Sequence, residues 1–281
     1  MNNGWIRLLP EEFARKVSFC QWEKLEEIRM RVGQPLELRF AEEERSVSPI
    51  VTTEHLEEVL RRACHQSVYS CTETLKDGYV TVEGGHRIGI CGTVVRKDGA
   101  VHTIRDPSSL AVRIARQVKG CADSLISRLN RSLLILGPPG TGKTTLLRDA
   151  LVGLSDCLHQ RVGLVDERGE LAATVRGIPQ LFVGRKTDVL VNVKKAEGIM
   201  MLLRTMNPQW IAVDEITAPA DIAAMVQASY CGVRLIATAH GAGKEDLYCR
   251  PLYRSLMKSG IFRAVVILNE QKQYRWVELE E

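Results

Sequence analysis

The sequence predicts an α/β protein in two parts: a smaller α+β domain over residues 1–120, then a mainly parallel sheet covered by helices on both faces over 121–281. Three observations lead there. From residue 124 onward apolar runs alternate with helical patterns, as parallel strands joined by crossover helices require. Between 53 and 104 a helical pattern gives way to β-rich runs separated by glycine turns, which points to a small antiparallel sheet. At 137–145 the run Gly-Pro-Pro-Gly-Thr-Gly-Lys-Thr-Thr joins an apolar strand to a helix.

In the first part Thr52 or Thr53 caps a helix whose Leu56, Val59, Leu60 and Ala63 recur at helical spacing. Residues 79–82, 87–95 and 101–104 then read as strands, punctuated by Gly84-Gly85 and by Lys97-Asp98-Gly99. Lys119-Gly120 interrupts the pattern and sets the joint between the parts near 118–123. Beyond it, 133–136 is a strand, and Leu146, Leu147, Ala150 and Leu151 mark the helix after the glycine-rich run. Residues 161–165 form the next strand. A helix over 194–204 follows, through Ala196, Ile199, Met200 and Leu203, and then a strand over 210–213. The helix over 219–231 opens on Pro219 and is capped by Gly232. Residues 235–237 form a further strand, and 262–268 pairs with 274–279 as a hairpin.

Composition excludes several function classes. Of 281 residues 45 % are apolar, enough for a sizeable core, and 38 basic against 34 acidic residues leave a net charge of only +4. With no dense basic block and aromatics at 5 %, no nucleic acid is expected as a partner. No apolar run approaches the ~18 residues of a membrane span, and the first residues lack a basic-then-apolar leader pattern, so a cytoplasmic protein is expected. The eight cysteines (20, 64, 71, 91, 121, 157, 231 and 249) form no CxxC pair. They read as buried thiols rather than as zinc or redox sites.

The glycine-rich run is a phosphate-binding loop in the setting such a loop needs. Gly137, Gly140 and Gly142, with Pro138, Pro139 and Thr141 between them, let the backbone curl until several N–H groups face one centre. The helix begun by Lys143, Thr144 and Thr145 adds its positive end. Lys143 reaches the outer phosphates of ATP or GTP, and the Thr144 hydroxyl holds Mg²⁺. Three further strand tips carry candidate chemistry. Asp214 is placed to hold the Mg²⁺ shell and Glu215 to polarise the attacking water. Asp166-Glu167-Arg168 either orients water or the metal shell or is a solvated turn. His240 is either a sensor of the terminal phosphate or a structural histidine.

The succession GPPGTGKTT, LVDERGE, LLRTMNPQWIAVDEI, ADIAAMVQASYCG and LIATAHGA resembles the secretion ATPases, motors of type II and type IV secretion and pilus systems. With GGHRIGICGTVV and SSLAVRIARQVKG included, the chain is more similar still to the stage III sporulation AA family of endospore-forming bacteria. The resemblance implies a RecA-like P-loop core working as a hexameric ring with ATP and Mg²⁺. It implies catalytic roles for Lys143, Glu167, Glu215 and His240, and an arginine acting in trans from among Arg87, Arg105, Arg113 and Arg116. It also implies a motor on the mother-cell face of the channel to the forespore, peripheral at the membrane and partnered by membrane proteins of that channel. Where secretion ATPases place Gly before the catalytic Glu and Arg-Asp shortly after it, this chain has Asp214 and then Thr217-Ala218. Two other readings share the core: a nucleic-acid-stimulated motor, and a nucleotide-gated scaffold without significant turnover.

Overall fold

A computed structural model describes residues 4–17, 24–64 and 78–279, arranged as two compact units. One comprises Met1–Arg116 with Ala173–Gln180, the other Gln117–Ala172 with Leu181–Glu281.

In the first unit β1 (Leu25–Arg31), β2 (Pro35–Phe40), β3 (Glu44–Ile50), β4 (Tyr79–Thr81), β5 (Arg87–Lys97) and β6 (Ala100–Arg113) form one antiparallel sheet in the order β3-β2-β1-β6-β5-β4. The helices Glu11–Val17 and Thr53–Ala63 contribute Phe13, Leu56 and Val59 to a core with Ile28, Met30, Leu36, Leu38 and Ile88. Thr52 is the N-cap, its N–H donating to His55 Nδ1 at 3.0 Å. The sheet is twice as wide as three predicted strands, because β1, β2 and β3 precede them. β6 also runs to Arg113 instead of stopping at 104. The hairpin absorbs Asp106-Pro107 as a bulge: pairing shifts between Cys91 and Thr93, and Asp106 takes φ 47°. Gly92 is required there, since a Cβ would lie 2.6 Å from the Arg105 carbonyl oxygen.

The second unit is built on β7 (Leu133–Gly137), β8 (Val162–Asp166), β9 (Thr187–Val191), β10 (Trp210–Val213), β11 (Arg234–His240), β12 (Ala264–Leu268) and β13 (Tyr274–Glu278). Their order is β13-β12-β7-β11-β10-β8-β9, parallel except for the β12–β13 hairpin. Every residue of β7, β8, β10 and β12 is buried, which is why these strands read as unbroken apolar runs. Alternate strand residues feed two cores. Leu134, Leu136, Ile211 and Val213 pack with Ile199, Met225 and Leu256, while Leu133, Ile135, Trp210 and Ala212 pack with Leu146, Leu147 and Ala150. Helices thus cover both faces.

Several predicted boundaries move. β8 takes in Asp166 and β11 takes in Thr238, Ala239 and His240. The half-exposed strand β9 and the short helices Lys244–Cys249 and Pro251–Lys258 had no counterpart in the sequence reading. The helix Lys195–Thr205 buries Lys195, Gly198, Ile199 and Leu202 rather than Ala196, Met200 and Leu203, which are partly buried. The reason is close approach: a Cβ on Gly198 would sit 2.6 Å from Val165 Cγ1. The helix Pro219–Tyr230 ends on Cys231, and Gly232 follows at φ 78°. The buried-thiol expectation fails for four of the six described cysteines. Cys64 is buried and Cys121 partly so, but Cys91, Cys157, Cys231 and Cys249 are exposed, and Cys20 and Cys71 lie outside the described residues. Among the described residues no helix is long and apolar enough to cross a membrane.

Candidate functional site

Strand register gathers the predicted tips. β11 pairs with β7 so that His240 faces Gly137, and β10 lies between β11 and β8 with Val213 opposite both Ala237 and Val165. The carboxyl ends of four parallel strands therefore open on one cavity of about 330 Å³. Lys143, Thr144, Glu167, Asp214, Glu215 and His240 all line it, with Pro139, Gly140 and Gly142. Gly137, Pro138, Thr141 and Thr145 do not line it.

The loop has the shape its glycines suggest. Gly140 and Gly142 take φ 77° and 94°, values that side chains disfavour. A Cβ on Gly137 would meet Thr141 Oγ1 at 2.7 Å, and that hydroxyl donates to the Pro138 carbonyl at 2.8 Å. The helix Lys143–Val152 starts directly after Gly142, so its unpaired N–H groups belong to the loop. Only 7 % of Lys143 is exposed. Its ammonium donates to the Gly137 and Pro138 carbonyls at 2.9 and 2.8 Å and to His240 Nδ1 at 3.1 Å, using all three of its hydrogens. Burial pulls its pKa below the ordinary lysine value, against the opposing pull of Asp214 and Glu215.

Opposite stand the carboxylates of the β10 tip. Asp214 accepts from Thr144 Oγ1 at 3.1 Å and from the fully buried Thr238 Oγ1 at 2.5 Å. The same Thr238 oxygen accepts the Glu215 N–H at 2.7 Å. That bond holds Glu215 in the left-handed region, φ 48°, where a side chain costs of order 1 kcal/mol or more. Because the Lys143 ammonium donates to Nδ1 of His240, the ring hydrogen sits on Nε2, which lies 3.1 Å from Glu215 Oε1 and donates to it. Arg168 reaches Glu215 Oε2 at 3.2 Å. Arg168, Glu215, His240 and Lys143 thus form one continuous polar chain. Thr144 and Asp214 offer adjacent hard oxygens, the donor chemistry Mg²⁺ accepts.

The acidic tip of β8 divides its labour. Asp166, 1 % exposed, accepts the N–H groups of Glu170 at 2.9 Å, Leu171 at 3.1 Å and Ala172 at 2.8 Å. Burial raises its pKa although those bonds oppose it. Asp166 therefore ties down its own loop while also lining the cavity. Glu167 projects to the cavity with its carboxylate bonded to Lys195. From the helix Lys143–Val152 the buried Arg148 donates to the carbonyls of Leu171 at 2.7 Å and Glu170 at 2.8 Å. The sequence assigns no role to Thr238, Arg148 or Lys195; only Lys195 carries a signal, its helical phase with Gly198, Ile199 and Leu202. The four candidate arginines lie in the first unit. There Arg116 donates to the Leu25 carbonyl, Arg113 to Glu27, and Arg87 stacks 3.5 Å over the Tyr79 ring.

Comparisons with known proteins bear on the family and the fold. The model of the family described as "Sporulation stage III, protein AA" matches residues 7–278. "Stage III sporulation protein AA" of Bacillus subtilis (strain 168) is 40 % identical, over 96 % of this chain and 92 % of its own. Among solved structures, the Legionella pneumophila ATPase DotB superposes with a TM-score of 0.57 at 14 % identity, over 95 % of this chain and 81 % of its own. The pilus retraction motor PilT with bound ADP superposes with a TM-score of 0.59 at 14 % identity, over 91 % and 76 %. These two likenesses show the fold alone, a RecA-like P-loop α/β fold.

Proposed function

From the premise that this chain belongs to the sporulation stage III protein AA family and has the secretion-ATPase fold, we propose that it is an ATP-hydrolysing motor subunit that works as a ring. One observation carries the reading: a glycine-curled loop with Lys143 and Thr144 shares a cavity with Asp214 and Glu215. Loop N–H groups and the Lys143 ammonium bind the phosphate oxygens, Lys143 trading contacts to the Gly137 and Pro138 carbonyls for charged ones. Thr144 and Asp214 hold Mg²⁺, which when bound neutralises phosphate charge. Glu215 takes a proton from water as that water attacks the terminal phosphorus and the bond to the leaving diphosphate breaks. His240 and Arg168 orient the Glu215 carboxylate for that transfer. Glu167 is the second carboxylate of the reaction, steering water at the rim.

Family membership supports a role in endospore formation. The motor energises assembly or transport at the channel between mother cell and forespore, from the mother-cell cytoplasm and against membrane partners. The ring is tested by phosphate release per subunit as a function of protein concentration. A rate that climbs with concentration supports sites completed by a neighbouring subunit; a flat profile at dilutions where the protein is monomeric contradicts them. Glu215→Gln is expected to retain nucleotide and lose turnover, and normal hydrolysis by that variant removes Glu215 from the mechanism.

A further inference from the structure

Lys195, Gly198, Ile199 and Leu202 are spaced along one buried helix face at i, i+3, i+4 and i+7. A lysine in that phase needs a counter-charge, because an unpaired buried ammonium is among the costliest groups a fold can carry. Lys195 is 5 % exposed, and its ammonium is bonded to the Glu167 carboxylate, the one polar partner it has among the described residues. Both residues line the cavity of the phosphate loop. The missing side chain at Gly198 lets the helix lie against Val165 of β8, bringing position 195 to the end of that strand, where Glu167 follows.

Charge decides what this pair does. Asp166 is matched by backbone N–H groups, Asp214 by two hydroxyls and Glu215 by Arg168 and His240. Among the described residues Glu167 is matched by Lys195 alone. We infer that Lys195 is a positioning residue of the nucleotide site: it neutralises Glu167, so that the acidic loop does not repel a polyanion, and fixes the carboxylate at the cavity. This rests on the nucleotide reading above. Lys195 acts through Glu167, so removing its charge harms binding only while Glu167 keeps its own.

The test is a double-mutant cycle read by titration with the slowly hydrolysed analogue ATPγS and Mg²⁺, with turnover measured in parallel on ATP. Lys195→Met is expected to weaken binding roughly tenfold or more, from one uncompensated charge at short range in a partly buried site. Lys195→Met with Glu167→Gln is expected to bind within about threefold of wild type while remaining defective in turnover, a split that a merely structural lysine does not produce. Glu167→Gln alone is expected to bind at least as tightly as wild type, which keeps the inference testable if Lys195→Met does not fold. Wild-type affinity in Lys195→Met, a double variant as weak as the single one, or a large loss of affinity in Glu167→Gln each overturns it. Absence of binding by the wild-type protein instead overturns the nucleotide reading itself.

Discussion

Replacing Thr238 by Val keeps the volume and β-branching of a fully buried residue and deletes a single oxygen. That oxygen serves two groups, donating to Asp214 at 2.5 Å and accepting from the Glu215 N–H at 2.7 Å. A hydrogen bond to a charged acceptor contributes about 1.5–3 kcal/mol, and an unsatisfied N–H costs about 1–3 kcal/mol. Their sum is roughly 2.5–6 kcal/mol, which lowers the melting temperature by about 10 °C at the scale expected for a unit of this size. The consequence for function is larger. Glu215 sits at φ 48° with that N–H bond as its anchor, so the loss lets it relax. A displacement of about 1 Å in a catalytic group costs on the order of 100-fold in rate. The Lys143 ammonium bonds to Gly137, Pro138 and His240 and not to Thr238, so the loop keeps its grip on phosphate. The expected outcome is therefore near-normal nucleotide affinity with about 100-fold slower phosphate release, measured by titration and by single-turnover kinetics. Turnover within threefold of wild type refutes the reasoning.

Two further predictions concern the supports of the site and of the first unit. Arg148→Met keeps an apolar stem but frees the carbonyls of Glu170 and Leu171, so stability is expected to drop by about 2 kcal/mol and amide exchange over 167–172 to rise; unchanged exchange there contradicts the pinning role. His86, 3 % exposed, has its pKa pushed down to about 4 by burial, while its Nδ1 accepts the Ala115 N–H at 3.1 Å. Between pH ~6.5 and ~4 the unfolded chain then binds more protons at this position than the folded one, so stability falls as pH falls through that window, by up to about 3 kcal/mol. His86→Asn keeps an acceptor for Ala115 without the titration; in denaturant titrations its stability is expected to fall less steeply than wild type over that window, and parallel curves contradict the assignment.

What the sequence displays is what lies close along the chain. Gly137 to Thr145, Asp214-Glu215 and His240 stand out because each follows an apolar run that is buried on both faces and so cannot hide its end. Thr238 is invisible by the same logic. Its role depends on Val213 of β10 standing opposite Ala237 of β11, a register between strands that no local pattern encodes. Arg148 and Lys195 carry charge on helix faces that usually meet solvent, and only tertiary packing turns them inward. Gly198 is the physical switch for the second, since its missing side chain rotates the buried face of its helix away from Ala196, Met200 and Leu203. In the first unit the alternation of Leu36, Leu38 and Phe40 with Glu37 and Arg39 is a strand pattern that the three expected strands leave out. β1 was harder, because a register shift between Leu25 and Glu27 interrupts its period of two. The strand predicted over 101–104 runs on because a bulge beside Gly92 carries it through the turn formers Asp106-Pro107.

The curled loop and Lys143 are proposed to bind the tail of a nucleoside triphosphate. Calorimetric titration of MgATP into the wild-type protein and into Lys143→Ala tests it most directly. A saturable heat with one nucleotide per subunit in the wild type, lost in the variant, is the predicted result. No heat in the wild type, or the same isotherm in both proteins, contradicts it.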